Sequence, residues 1–183
     1  MIDIYLVRHG EAAASWGEES DPGLSDLGQQ QAEAVAHRLL PVLAPDTRLL
    51  SSPLARAQET AAPLADELGR TVQLADAFRE IPSPVALSER QRWLRQFMRE
   101  RWPDQDKRLL QWRDTALQQL QALECPAVVF THFLVINAVV GQLTRRSETL
   151  CFWPDNGSVT HLRLCEGQLS LVALGAQMRS VVN

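Results

Sequence analysis

The sequence predicts an α/β fold, with strands and helices alternating around a layered sheet. Three observations predict it. Short apolar runs at residues 2–7, 47–52 ("TRLLSS") and 127–131 ("AVVFT") have the length and β-branched content of buried strands. Stretches of helical periodicity follow them. Near the end, "SVTHLRLCEGQLSLVALG" (158–175) reads as a β-hairpin turning at Glu166-Gly167.

The elements follow in order. Residues 8–25 are rich in Gly, Ser and Pro and read as a loop. Residues 26–43 read as a helix with Asp26 as its N-cap and Leu27, Val35, Leu39 and Leu43 on one face. Residues 53–69 read as a second helix, with Pro53 in its first turn and Gly69 closing it. "TVQL" and "AFREI", within 71–81, are short extended pieces. Pro82 and Pro84 then break the chain, and residues 88–123 read as two helices separated at Pro103. The strand at 127–131 leads into a helix ending near 143. The expected organisation is one domain over 1–183.

Composition narrows the function. The chain has 183 residues, 45% hydrophobic and 22% charged, with a net charge of −4. That balance argues against nucleic acid as a partner. Lys107 is the only lysine and follows Asp106, so no Gly-Lys pair exists for a Walker-type phosphate loop. Cys125, Cys151 and Cys165 are odd in number and lack C-x-x-C spacing, which fits neither a disulfide framework nor a zinc site and suggests a reducing cytoplasm. None has an arginine six positions later, so a cysteine-based phosphatase is not expected. The first strand contains Asp3 and is too short for a signal peptide. The longest apolar run, "FLVINAVVG" (133–141), falls far short of the roughly 20 residues of a membrane span.

Five chemistry-bearing residues stand where elements meet. Arg8 and His9 end the first strand, Arg56 opens the helix after "SSP", Glu80 ends "AFRE", and His132 ends "AVVFT". The carboxyl ends of strands are where open α/β sheets bind ligands. Each residue has an ordinary alternative: Arg56 as a helix-surface ion pair, Glu80 as a surface residue, His132 as a core histidine. As a set they suit phosphoryl transfer to histidine. A neutral imidazole attacks phosphorus. Guanidiniums bind the equatorial oxygens bidentately. A second imidazole donates to the same oxygens, and a carboxylic acid protonates the leaving oxygen. With that many donors no metal ion or other cofactor is expected. Asp104-x-Asp106 lies after Trp-Pro in an arginine-rich helical zone, not at a strand end, and is set aside as an aspartyl nucleophile. His37 and His161 read as structural or surface residues.

In order along the chain, "LVRHGEA", "DPGLSDLGQQQA", "SSPLARAQETA", "FREI", "VVFTH" and "NGSVT" resemble the histidine phosphatase superfamily, also called the phosphoglycerate mutase-like family. The resemblance runs from residue 4 to about 160. It implies a three-layer α/β/α sandwich with a mostly parallel central sheet. It also implies His9 as phosphoryl acceptor, Arg8, Arg56 and His132 as the phosphate pocket, Glu80 as proton donor, and the segment at about 82–123 as a helical cap over the pocket. Three places depart from the family pattern. Ala12 and Ser15 stand where Thr and Asn are usual, Phe133-Leu134 replaces Gly-Gly, and "PSPVAL" replaces a Gly- and Trp-containing stretch. Ser15 is expected to donate to a phosphate oxygen. Phe133 is expected beside the pocket, narrowing it or stacking on substrate.

Residues 88–113 carry eight basic side chains against four acidic ones. One reading is a solvated helix pair with Leu94, Phe97, Met98, Leu109, Leu110 and Trp112 as its apolar face. The other places one or two of its arginines in the pocket, reading a second anionic group. Trp93, Trp102 and Trp112 are expected as core or staple residues. The reading adopted is a metal-independent phosphatase for a small phosphomonoester, with no nucleic-acid or membrane partner and no assigned oligomeric state. The alternatives are mutase-type phosphoryl transfer, a protein phosphohistidine phosphatase, and a non-catalytic phospho-ligand module.

Overall fold

The computed structural model describes residues 1–14 and 19–178. Its centre is a six-stranded sheet formed by β1 (Ile2–Arg8), β2 (Arg48–Ser51), β3 (Val72–Leu74), β4 (Ala127–Thr131), β5 (Val159–Cys165) and β6 (Gln168–Ala173). The strand order is β3-β2-β4-β1-β5-β6. The first four in that order run parallel, and β5 and β6 are antiparallel additions to one edge.

Alternation along the strands divides the core. Ile4 and Leu6 of β1, with Val129 of β4, face helices α4 (Lys107–Gln121) and α5 (Phe133–Leu143). Val7, Val128 and Phe130 face α1 (Asp26–Leu39) and α2 (Ala55–Leu68). Both faces are covered, which is why β4 is apolar from Ala127 to Phe130 and buried along its whole length. The result is the three-layer α/β/α arrangement. Each fully buried Leu, Ile or Phe contributes about 1.5–3 kcal/mol.

The segment between β3 and β4 packs through a third buried cluster. Leu94 and Phe97 of α3 (Arg90–Phe97), together with Trp102 and Leu109, meet Ile81, Phe133, Leu134 and Ala138. This seats the segment over the N-terminal end of α5. Trp102 is fully in the core, edge-on to Phe97 and stacked with Trp112. The Trp112 indole N–H donates to the Arg79 carbonyl at 3.0 Å, tying α4 to the chain just before Glu80.

Several expected boundaries move for physical reasons. Ser25, not Asp26, caps α1: its backbone is extended and its Oγ accepts the Gly28 N–H at 3.1 Å. Asp26 takes the first turn, where its charge favours the helix dipole. The helix stops at Leu39, and Pro41 lies in a single 3-10 turn at Leu40–Val42. Leu27 is 48% exposed; the buried stripe is Gly28, Ala32, Val35, Ala36 and Leu39. α2 begins at Ala55 and ends against Gly69, whose φ of 60° is the left-handed closure that glycine favours. The expected extended piece "AFREI" instead opens with a 3-10 turn, Asp76–Phe78, which drives Phe78 into the core. A further 3-10 turn at Trp102–Asp104 falls on Pro103 and separates α3 from α4. The hairpin turns at Glu166 and Gly167, both with positive φ as a two-residue type I′ turn requires. The three cysteines are free thiols. Among the described residues, no helix is long and apolar enough to cross a membrane.

Candidate active site

Parallel pairing brings the site together. Arg8 of β1 pairs with Thr131 of β4, and Ser51 of β2 pairs with Phe130. The residues that follow these ends, His9, Ser52 and His132, therefore emerge side by side. The rings of His9 and His132 lie 5.2 Å apart, edge to face.

His9 is held from four directions. Its backbone N–H donates to the Thr131 carbonyl at 3.0 Å. Its own carbonyl accepts from the Asn156 side-chain amide at 3.1 Å. Its ring Nδ1 meets the Gly10 carbonyl at 2.7 Å. A carbonyl only accepts, so Nδ1 carries the proton and the lone pair lies on Nε2. The Arg56 Nε–H points at that atom from 3.2 Å. Burial pushes the His9 pKa well below the ordinary value, and the charges of Arg56 and Arg8 push the same way, outweighing the Gly10 carbonyl. His9 is therefore neutral at pH 7.

Gly10 answers a close approach. A Cβ there would lie 2.5 Å from the Gly28 carbonyl oxygen, so the loop after β1 can cross the start of α1 only without a side chain. The Gly10 N–H donates to Thr60 Oγ at 3.0 Å, and Thr60 Oγ donates to the Arg56 carbonyl at 2.6 Å. One hydroxyl thus registers the His9 loop against the helix that carries Arg56. Asp21 accepts the Ala55 N–H at 2.8 Å at the start of that helix and lies 4.0 Å from the Arg56 guanidinium.

His132 is fully buried at the N-cap of α5. Its Nε2 is 2.8 Å from Ser52 Oγ, while its Nδ1 has no partner among the described residues. Burial first, then the neighbouring His9, Arg56 and Arg8, hold its pKa well below the ordinary value. Arg8 is buried too, and desolvation pushes its pKa down to about 10 against the pull of Glu80 and Asp155. Its Nη1 donates to the Pro154 carbonyl at 2.8 Å, and its Nε has no partner among the described residues.

Glu80 is buried, and desolvation raises its pKa despite the Ile81 N–H, Arg56 and Arg90. The Ile81 N–H reaches its Oε1 at 3.0 Å. Glu80 and Arg56 form the inner wall of a cavity of about 250 Å³. Arg79, Arg90, Ile81, Leu87 and Leu94 are among the residues that line the rest, with Glu19 also at the wall. Of the arginines in the basic segment, Arg90 is the one on this cavity. Its Nη2 donates to the Ile81 carbonyl at 3.2 Å.

Arg8, His9, Arg56, Glu80 and His132 thus lie close enough together for the charge of one to act on the others. Two other expectations fare differently. Ser15 lies outside the described residues. Phe133 is buried and packs under the Arg8 guanidinium at 5.1 Å, so its ring meets an arginine rather than open space; like Arg8, His9 and His132, it lies behind the cavity wall that Arg56 and Glu80 form. Sequence reasoning missed Ser52, Thr60 and Asn156. All three stand inside motifs quoted above, Ser52 and Thr60 in "SSPLARAQETA" and Asn156 in "NGSVT", which were the available signals.

Fold and site together define an α/β protein that gathers two imidazoles, two guanidiniums and a carboxyl at the carboxyl end of a parallel sheet. The chain belongs to the histidine phosphatase superfamily (branch 1), whose family model matches residues 4–177. It is 34% identical over 110 residues to a probable phosphoglycerate mutase, GpmB, of Yersinia pestis, covering 54% of this chain and 50% of that protein. The matched stretches span half or less of the length of the curated relatives. A mycobacterial glucosyl-3-phosphoglycerate phosphatase has a similar structure, with a TM-score of 0.72, 20% identity, and coverage of 97% of this chain and 100% of its own. So has a phosphoserine phosphatase of Entamoeba histolytica, with a TM-score of 0.75, 22% identity, and coverage of 96% and 98%.

Proposed function

We propose that this protein is a metal-independent phosphatase that hydrolyses a small phosphomonoester through a phosphohistidine at His9. One observation carries the reading: Nδ1 of His9 is tied to the Gly10 carbonyl, so the Nε2 lone pair of a neutral ring faces the guanidinium-lined side of the site. Arg8 Nε and His132 Nδ1 are buried polar nitrogens without a partner among the described residues, which suits donors to an oxyanion.

The chemistry follows in two steps. A substrate phosphate takes over the Arg56 Nε–H that points at His9, freeing the Nε2 lone pair. Nε2 then attacks phosphorus, the ester P–O bond breaks, and protonated Glu80 gives its proton to the leaving oxygen. The Glu80 carboxylate next takes a proton from water as that water attacks the phosphohistidine. Phosphate leaves, and both residues return to their starting states. Arg8, Arg56 and His132 hold the equatorial oxygens throughout. Residues 82–123 act as a cap bringing Arg90 to the leaving-group side. The free thiols support a reducing cytoplasm as its setting.

Hydrolysis of p-nitrophenyl phosphate, then of a panel of phosphorylated metabolites with His9→Ala as the blank, tests the reading. Phosphate release by the wild type alone is expected; no release from any ester contradicts it. The positive charge at the site comes from arginine, so activity is expected to persist in excess EDTA. A large loss restored by Mg²⁺ or Zn²⁺ contradicts a metal-independent mechanism.

Arg90 is expected to read a second anionic group on the substrate. Arg90→Ala should then raise KM for the best substrate about tenfold, the range of one charged hydrogen bond, and leave p-nitrophenyl phosphate nearly unchanged. Equal effects on both substrates contradict that role.

The name of the Yersinia relative favours mutase-type transfer as the second reading. The two share the first step and differ in the acceptor. With 3-phosphoglycerate, the phosphatase reading expects inorganic phosphate; accumulation of 2-phosphoglycerate without it favours the mutase.

A further inference from the structure

Phe133 opens α5 directly after His132 and is 2% exposed. Its ring is fixed by Trp153, whose centroid is 5.4 Å away, and by the buried cluster that includes Leu94 and Phe97. Above it lies the Arg8 guanidinium, with Cζ 5.1 Å from the ring centroid. Arg8 is itself 8% exposed.

A buried cation needs compensation. Among the described residues, no carboxylate forms an ion pair with Arg8. Of the two carboxyls whose charge acts on it, Glu80 is pushed by burial towards its neutral form, and Asp155 acts from beyond ion-pair distance. What Arg8 has instead is one carbonyl, that of Pro154, a thioether contact from Nη1 to Met178 Sδ at 3.6 Å, and the face of Phe133. These differ from a carboxylate in a way that matters. A carboxylate would engage the guanidinium fork bidentately and compete with an incoming phosphate. A π face attracts the cation through its quadrupole and takes none of the in-plane N–H donors. The Arg8 Nε–H accordingly remains without a partner among the described residues.

We infer that Phe133 is a positioning residue for the phosphate subsite: its ring holds Arg8 buried, charged and correctly placed, while leaving Nε free for an oxyanion. The inference rests on the phosphatase reading, because it assigns that oxyanion to phosphate. It makes Phe133 act through Arg8 and gives it no contact with substrate.

A double-mutant cycle tests it, with orthovanadate as the probe and isothermal titration calorimetry as the readout. Phe133→Leu keeps an apolar side chain and removes the π face. It is expected to weaken orthovanadate binding about 3- to 30-fold, the range of a desolvated cation–π contact. Phe133→Met, unbranched and long enough to reach as far as the ring, is expected to do the same, which separates the π face from apolar filling of the site. In an Arg8→Met background, titrated to millimolar orthovanadate, neither substitution should weaken binding further, because the group through which Phe133 acts is gone. Equal weakening in both backgrounds overturns the inference, as does unchanged binding in Phe133→Met. If the wild type binds neither orthovanadate nor inorganic phosphate, the phosphatase reading fails and the inference with it; loss confined to the cycle leaves that reading intact.

Discussion

His9→Ala is expected to lower turnover of every phosphomonoester to near background, a fall on the order of 10⁵-fold or more, as when other covalent nucleophiles are removed. The size of the effect follows from geometry. Nε2 of His9 is the one imidazole lone pair facing Arg56, because the Gly10 carbonyl fixes the proton on Nδ1. His132 does not substitute for it: its Nε2 is engaged with Ser52 Oγ, and its ring stands 5.2 Å away. Removing the His9 ring breaks the Gly10 and Arg56 contacts made by its nitrogens and its edge contact with His132, and leaves its backbone bonds to Thr131 and Asn156 in place, so the fold should survive. Far-UV circular dichroism and thermal melting check this, and orthovanadate binding should remain. A variant that keeps more than about one hundredth of wild-type activity contradicts His9 as nucleophile.

Glu80→Gln is expected to produce a loss that depends on the leaving group. An alkoxide leaves poorly without a proton, whereas p-nitrophenolate leaves unaided. General acid catalysis typically contributes about 10²- to 10⁴-fold. A loss in that range is expected for an alkyl phosphate, and a much smaller one for p-nitrophenyl phosphate. The pKa shifts have the required signs. Burial raises Glu80, which keeps its proton to higher pH, and lowers His9, which stays neutral to lower pH. The productive form, with His9 neutral and Glu80 protonated, is bounded on the acid side by His9 and on the alkaline side by Glu80. Wild-type kcat/KM for the alkyl ester should therefore be bell-shaped in pH, and Glu80→Gln should remove the alkaline limb. Equal losses for both esters would show that Glu80 holds phosphate or supports the fold, and that another group supplies the proton.

The strands and the five convergent residues were legible because their signals are local. Both faces of β4 are buried, so it reads as an unbroken apolar run; the hairpin turn announces itself through Glu166-Gly167. Arg8, His9, Arg56, Glu80 and His132 carry rare chemistry at element ends, and their convergence follows once the strands run parallel. The shifted elements depend on contacts that local pattern does not contain. Leu27 loses its place on the buried stripe because the position beside it, Gly28, must pass against the backbone around Gly10. Ser25 and Asp26 are both good capping types, and only the extended backbone of Ser25 decides between them. Ser52 and Thr60 act on residues 80 and 50 positions away, and Asn156 on one 147 away, through hydrogen bonds that no spacing rule encodes. Phe133 shows the same limit: its departure from the family pattern was visible, but its partner, Arg8, was not.

The central claim is that phosphate passes through His9. The most direct measurement is brief incubation with a phosphomonoester labelled on phosphorus, denaturation without acid, and mapping of the label by mass spectrometry. The expected result is a phosphoramidate on Nε2 of His9, stable to base, labile to acid and absent from His9→Ala. Label on a serine, aspartate, cysteine or His132 would contradict the account.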